Sequence, residues 1–135
     1  RLAAAAAIRG PDYTATCRRI LVRRLLMGIR ESIVEHIELL SKASDQLTYE
    51  SNVSIADIHG ELVDGFTSDL YRPKNAEFLD AFTEAELKQL AHLYGLLLES
   101  IRLHVRSVTE LLKQPEWRRV MKLAKELVVA LGVRK

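Results

Sequence analysis

The chain has 135 residues, 48% hydrophobic and 28% charged, with only 6% aromatic and a net charge of +2. That size fits one domain with a single core. The scarcity of aromatics makes the core Leu, Ile, Val and Ala, which favours helices over a β-sandwich. A balance near zero argues against a dedicated nucleic-acid binder, and a single cysteine, Cys17, excludes an internal disulfide or a cysteine metal cluster.

Residues 1–11 read as a loose arm or short helical leader, closed by Gly10-Pro11. Arg1 to Ile8 has a positive start and an alanine run, too short and too weakly apolar for a signal-peptide core. No run approaches the ~20 apolar residues of a membrane span. The chain is expected to be cytoplasmic, and residues 12–135 to form a single helical domain. A first long helix is expected after Asp12 or Thr14, with Cys17, Leu21, Leu25, Ile29, Ile33, Ile37, Leu40 and Leu47 on one line. Gly28 interrupts that line and marks a bend or a close contact. Cys17 reads as a small buried group of this helix.

After a polar loop at 49–53, Ser54 to Asp57 resembles a capping box that opens a second helix. Its apolar face is Ile55, Ile58, Leu62, Phe66 and Leu70. Gly60 and Gly65 weaken it by about 1 kcal/mol each relative to Ala, so it needs tertiary support or uses them for close approach. Tyr71 to Asn75 is a turn. Phe78, Leu79 and Phe82 form a short apolar piece. Thr83 to Leu112 is expected to be one long central helix, with Leu87, Leu90, Tyr94, Leu97, Ile101, Val105, Val108 and Leu112 in line. Thr83 and Glu86 form its capping box and Pro115 stops it; at ~1.5 Å per residue it would run roughly 45 Å. A last helix after Pro115 faces inward with Trp117, Val120, Met121, Ala124, Leu127, Val128 and Leu131, and Gly132 ends it. The expected architecture is all-α: four main helices in an antiparallel or irregular bundle.

The charges are segregated. Residues 1–30 carry +6, residues 31–90 carry −9 and residues 91–135 carry +5. Glu31, Glu35 and Glu38 share one helical stripe, and Asp57, Glu61 and Asp64 share another. Arg118, Lys122 and Lys125 form a basic stripe, and Arg102 with Arg106 a shorter one. Such stripes are either solvated outer faces, whose exposed pairs contribute ~0–1 kcal/mol each, or a two-signed surface for a protein partner. Arg18, Arg19, Arg23 and Arg24 form the densest basic cluster and could touch phosphates without sequence specificity.

Chemistry is hard to place. His36, His59, His92 and His104 include no His-x-x-x-His or Glu-x-x-His pair, so neither a metal nor another cofactor is expected. No phosphate loop, nucleophile elbow or Cys-His arrangement occurs, and Glu84 and Glu86 read as helix N-terminal charges, so no enzyme is expected. Arg30 to His36 resembles the Arg-x(4–6)-His element of HEPN-type helical ribonucleases, although Glu31, directly after the arginine, would repel phosphate.

A broader likeness spans residues 49 to 131. Tyr49-Glu50, Ile58 to Phe66, Asp69-Leu70-Tyr71-x-Pro73, Phe78, Ala81-Phe82-Thr83-x-x-Glu86-Leu87 and Pro115-Glu116-Trp117 succeed one another. This run is similar to small all-α immunity-type proteins of bacterial contact-dependent and polymorphic toxin systems. The resemblance implies a protein that occludes a cognate toxin domain. If that toxin has a basic cleft, Glu31, Glu35, Glu38, Asp57, Glu61 and Asp64 are the expected partner-binding residues. Two rivals stand beside it: an RNA-binding or ribonucleolytic helical dimer using Arg18 to His36, and a homo-oligomeric assembly subunit packed through Gly60 and Gly65.

Overall fold

The computed structural model describes residues 28–53 and 57–132. The expected arm, the expected first-helix residues up to 27, including Cys17, Arg18, Arg19, Arg23 and Arg24, and Ser54 to Ala56 lie outside the described residues. Within them the protein is all-helical. Seven helices take the place of the expected four: α1 (Ile29–Ser41), α2 (Ala43–Asn52), α3 (Ile58–Thr67), α4 (Ala76–Asp80), α5 (Glu84–Ser100), α6 (Val108–Leu111) and α7 (Pro115–Gly132). None is long and apolar enough to cross a membrane.

Two of the three extra helices, α2 and α6, come from breaks in the two long helices expected from periodicity, and the third, α4, is the short apolar piece around Phe78. Gly28 is the extended N-cap of α1 and not a bend within a helix. Lys42, also extended, separates α1 from α2. The central helix stops at Ser100, twelve residues short of Leu112. There the Ser100 hydroxyl donates to the Leu97 carbonyl, which the helical ladder would otherwise use for Ile101. The Ile101 N–H bonds Leu98 O instead, a tighter closing turn. The chain restarts at Ser107, whose hydroxyl caps α6 by accepting from the Glu110 N–H.

Helix starts are otherwise set locally. Thr83 and Glu86 make the full reciprocal capping box at the start of α5. Asn75 caps α4. α3 is capped by Asp57, which accepts from the Gly60 N–H, while Ser54, the expected start of the box, lies outside the described residues. The core is built mainly where α7 packs on α1 and α5, with α3 lying on α5. Ile33, Ile37, Leu40, Leu62, Phe66, Leu90, Leu97, Trp117, Val120 and Leu127 are buried in it. Gly65 lets α3 approach α1: a β-carbon there would lie 2.5 Å from Cε1 of His36. Gly60 sits over its own cap, Asp57. Tyr71 stands between three rings. It stacks on Phe66 at 5.4 Å, meets Phe78 edge-on at 5.5 Å and tilts against Tyr94 at 4.8 Å.

Candidate functional site

The two residues of the Arg-x(4–6)-His element are both engaged inside the domain. Arg30, in the first turn of α1, holds Glu86 through two parallel bonds of 2.9 Å. It also donates to the carbonyls of Ala81 at 3.0 Å and Leu131 at 3.3 Å, and lies over the Phe82 ring. Burial pushes the Glu86 carboxyl up, but the Thr83 N–H and the Arg30 guanidinium outweigh it and hold the group below its ordinary value. His36 is buried, with Nε2 2.9 Å from the Leu62 carbonyl; since a carbonyl only accepts, Nε2 carries the proton.

A second polar chain crosses the interior. Gln46 of α2 donates to the carbonyls of Leu39 and Leu40 at the end of α1 and accepts from the Trp117 indole N–H at 3.0 Å. His59 meets the Trp117 ring edge-on at 5.3 Å and lies 3.0 Å from Ser100 Oγ. This resembles a nucleophilic His–Ser pair, but the proton runs the wrong way. The Ser100 hydroxyl gives its hydrogen to Leu97 O at 2.7 Å, so it must accept from His59 Nε2–H, and Ser100 is fully buried. Burial lowers the His59 pKa, only partly offset by the Asp57 charge.

The outer side of His59 forms part of a cleft of about 520 Å³ at the start of α3. The cleft is walled by the irregular 101–106 segment. Asp57 and Asp64 line one side, His104 and Arg106 the other, and Val63, Leu103 and Val105 supply apolar surface. Ile101, on its edge, is 53% exposed. The break of the central helix builds this wall, because a continuous helix would have carried residues 101–106 away along its axis. Mixed charge over apolar walls, with an uncovered Ile, suits the anchoring of a partner's side chain.

The six predicted acids fall in different settings. Asp57 and Asp64 share the cleft. Glu31 lies instead in a shallower depression of about 570 Å³ with Arg30, Glu77 and Asp80. Glu35, Glu38, Glu61 and Asp64 are half-buried and each interacts within the chain, while Glu31 and Asp57 are exposed. Asp57 is also the α3 cap, so charge reversal there removes a helix start along with a surface charge. Sequence reading does not single out Gln46, Ser100 or Ile101. Gln46 and Ser100 fall among polar residues of predicted helices, and Ile101 falls on an apolar line that implied burial. The signal that could have found the break is Ser100 itself, followed by Arg102, His104 and Arg106 alternating with Leu103 and Val105, a period of two and not of 3.6. Among the described residues no group of three His, Cys, Asp or Glu side chains could hold a metal ion. Comparison with protein-family models, with curated proteins and with solved structures found no match for the chain.

Proposed function

We propose that the chain is a non-enzymatic protein-binding module of the immunity type. In this reading it acts in the cytoplasm as an irregular helical bundle that occludes a cognate toxin domain. The observation that carries the reading is the cleft at the start of α3. It combines carboxylates, an uncovered Ile101 and apolar walls in a depression built on capped helices. A protein contact of this kind draws its affinity from a few anchors set among polar neighbours. The engagement of Arg30, His36, His59 and Ser100 in internal bonds supports a structural role for these residue types, which elsewhere serve catalysis. Of the acids expected at the interface, Asp57 and Asp64 are the central pair. Glu61 stands between them on the same stripe of α3, and Glu31, Glu35 and Glu38 belong to α1.

The test is capture of partners by the tagged chain from nuclease-treated lysate of its source cell, with mass spectrometry of the eluate. The double variant Asp57→Asn/Ile101→Ser is run in parallel. Asparagine keeps the α3 cap while removing the charge. One stoichiometric toxin-domain partner, lost in the variant, is the expected result. Equal capture by both chains would remove the cleft from the interface. Recovery of RNA and no protein, in untreated lysate, would favour the ribonucleic reading.

A further inference from the structure

α7 presents a second surface. Its inner side, with Trp117, Val120, Ala124, Leu127 and Leu131, is buried against the core, and the helix packs on α1 and α5. On the opposite side Arg118, Lys122, Lys125 and Val129 follow at steps of four, three and four, a single line along the helix, with Arg119 beside them. All five are exposed, and Val129, at 65%, is the most exposed large apolar side chain among the described residues.

Among the described residues the cations of this face close no ion pair. Among the described residues the one ion pair is Arg30–Glu86. Arg118 reaches only the Lys113 carbonyl, at 2.7 Å. Glu126, the one acid on this side of α7, stands four residues from Lys122 without closing a pair. Outside the described residues the sequence holds a single acid, Asp12. Like charges three and four residues apart on a helix repel one another, so an external anionic surface relieves a tension that the described residues leave in place.

We infer that the outer face of α7 is a docking surface for an acidic protein segment that also carries an apolar side chain. Phosphate backbone is the competing occupant, and two observations weigh against it. Val129, at the C-terminal end of the basic line, gains from burial against another protein and nothing from phosphate. Residues 31–90 carry a net −9, so a long polyanion extending beyond α7 meets a repulsion that a short acidic segment confined to the helix avoids. The surface is separate from the α3 cleft, and the inference stands or falls independently of the immunity reading.

Fluorescence anisotropy on the full chain decides it, with two labelled probes: an amphipathic peptide of Glu and Leu at helical spacing, and a short DNA duplex. The peptide should bind, more weakly as salt rises. Binding should fall about tenfold in Lys122→Glu/Lys125→Glu, as reversal of complementary charges does, and severalfold in Val129→Ser at unchanged charge. Asp57→Asn/Ile101→Ser should bind the peptide as the unaltered chain does. All these positions are exposed, and circular dichroism checks that helicity is kept. Absence of peptide binding at low salt, equal binding by the α7 variants, or preference for the duplex with no effect of Val129→Ser would each overturn the inference.

Discussion

Gln46 has no contact with solvent and uses both amide hydrogens and its carbonyl oxygen on named partners. Its oxygen depends on one donor, the Trp117 indole. Trp117→Phe keeps an aromatic ring in the core but strips that donor away, so unfolding in urea should show a loss of about 1–3 kcal/mol from the orphaned oxygen alone, beyond any change in packing. His59 makes a different prediction. Its pKa lies below the ordinary histidine value in the folded chain, so the unfolded chain takes up the proton first. The stability that a neutral His59 contributes is therefore present above the ordinary histidine pKa of about 6.5 and lost as pH falls toward the folded value. Thermal unfolding followed from pH 8 to pH 5 should show a declining midpoint, and His59→Gln should flatten the decline. An unchanged slope in that variant would assign the dependence to another group.

The helices end where side chains compete with the backbone, and this is where reading the sequence succeeded and failed. Thr83 with Glu86, and Pro115 before Trp117, are local signals, complete within four residues, and both mark real helix starts. Gln46 and Ser100 act through partners elsewhere in the fold, and no periodicity points to them. The apolar line from Leu87 to Leu112 is continuous on paper. Leu90 and Leu97 are buried in α5, and Val108 is buried again after the break, but Ile101 between them is exposed. Half the cleft was legible in Asp57 and Asp64. The other half was not, because the 101–106 wall exists only once α5 has stopped. Glycines sort in the same way. Gly65→Ala would press a methyl group onto His36 and should destabilise by about 1–3 kcal/mol, as overpacking does. Gly95→Ala meets nothing within 4 Å in the interior of α5 and should stabilise by about 0.5–1 kcal/mol. Paired denaturation curves of the two variants would check the opposite signs.

Across the whole molecule, Arg30 joins positions far apart in the chain: Ala81, Glu86 and Leu131 all receive its hydrogen bonds. Because Glu86 is held below its ordinary pKa, the stability it contributes is fully present above the usual carboxylate range. It is lost as pH falls below that range toward the folded value. Arg30→Gln should cost about 1–3 kcal/mol at neutral pH, moderated by the partial exposure of the pair, and should weaken the acid limb of the stability profile. If the acid limb were as steep in Arg30→Gln, the Thr83 cap alone would account for the Glu86 shift. The packing of α1 on α7 carries a further consequence for how the protein is made. α1 is the first of the described helices to be synthesised, and α7, the main cover for its apolar face, is the last. Until the ribosome has delivered α7, Ile33, Ile37 and Leu40 lack that cover. Holding chaperones should therefore capture a chain halted between α1 and α7 and release it once α7 is added.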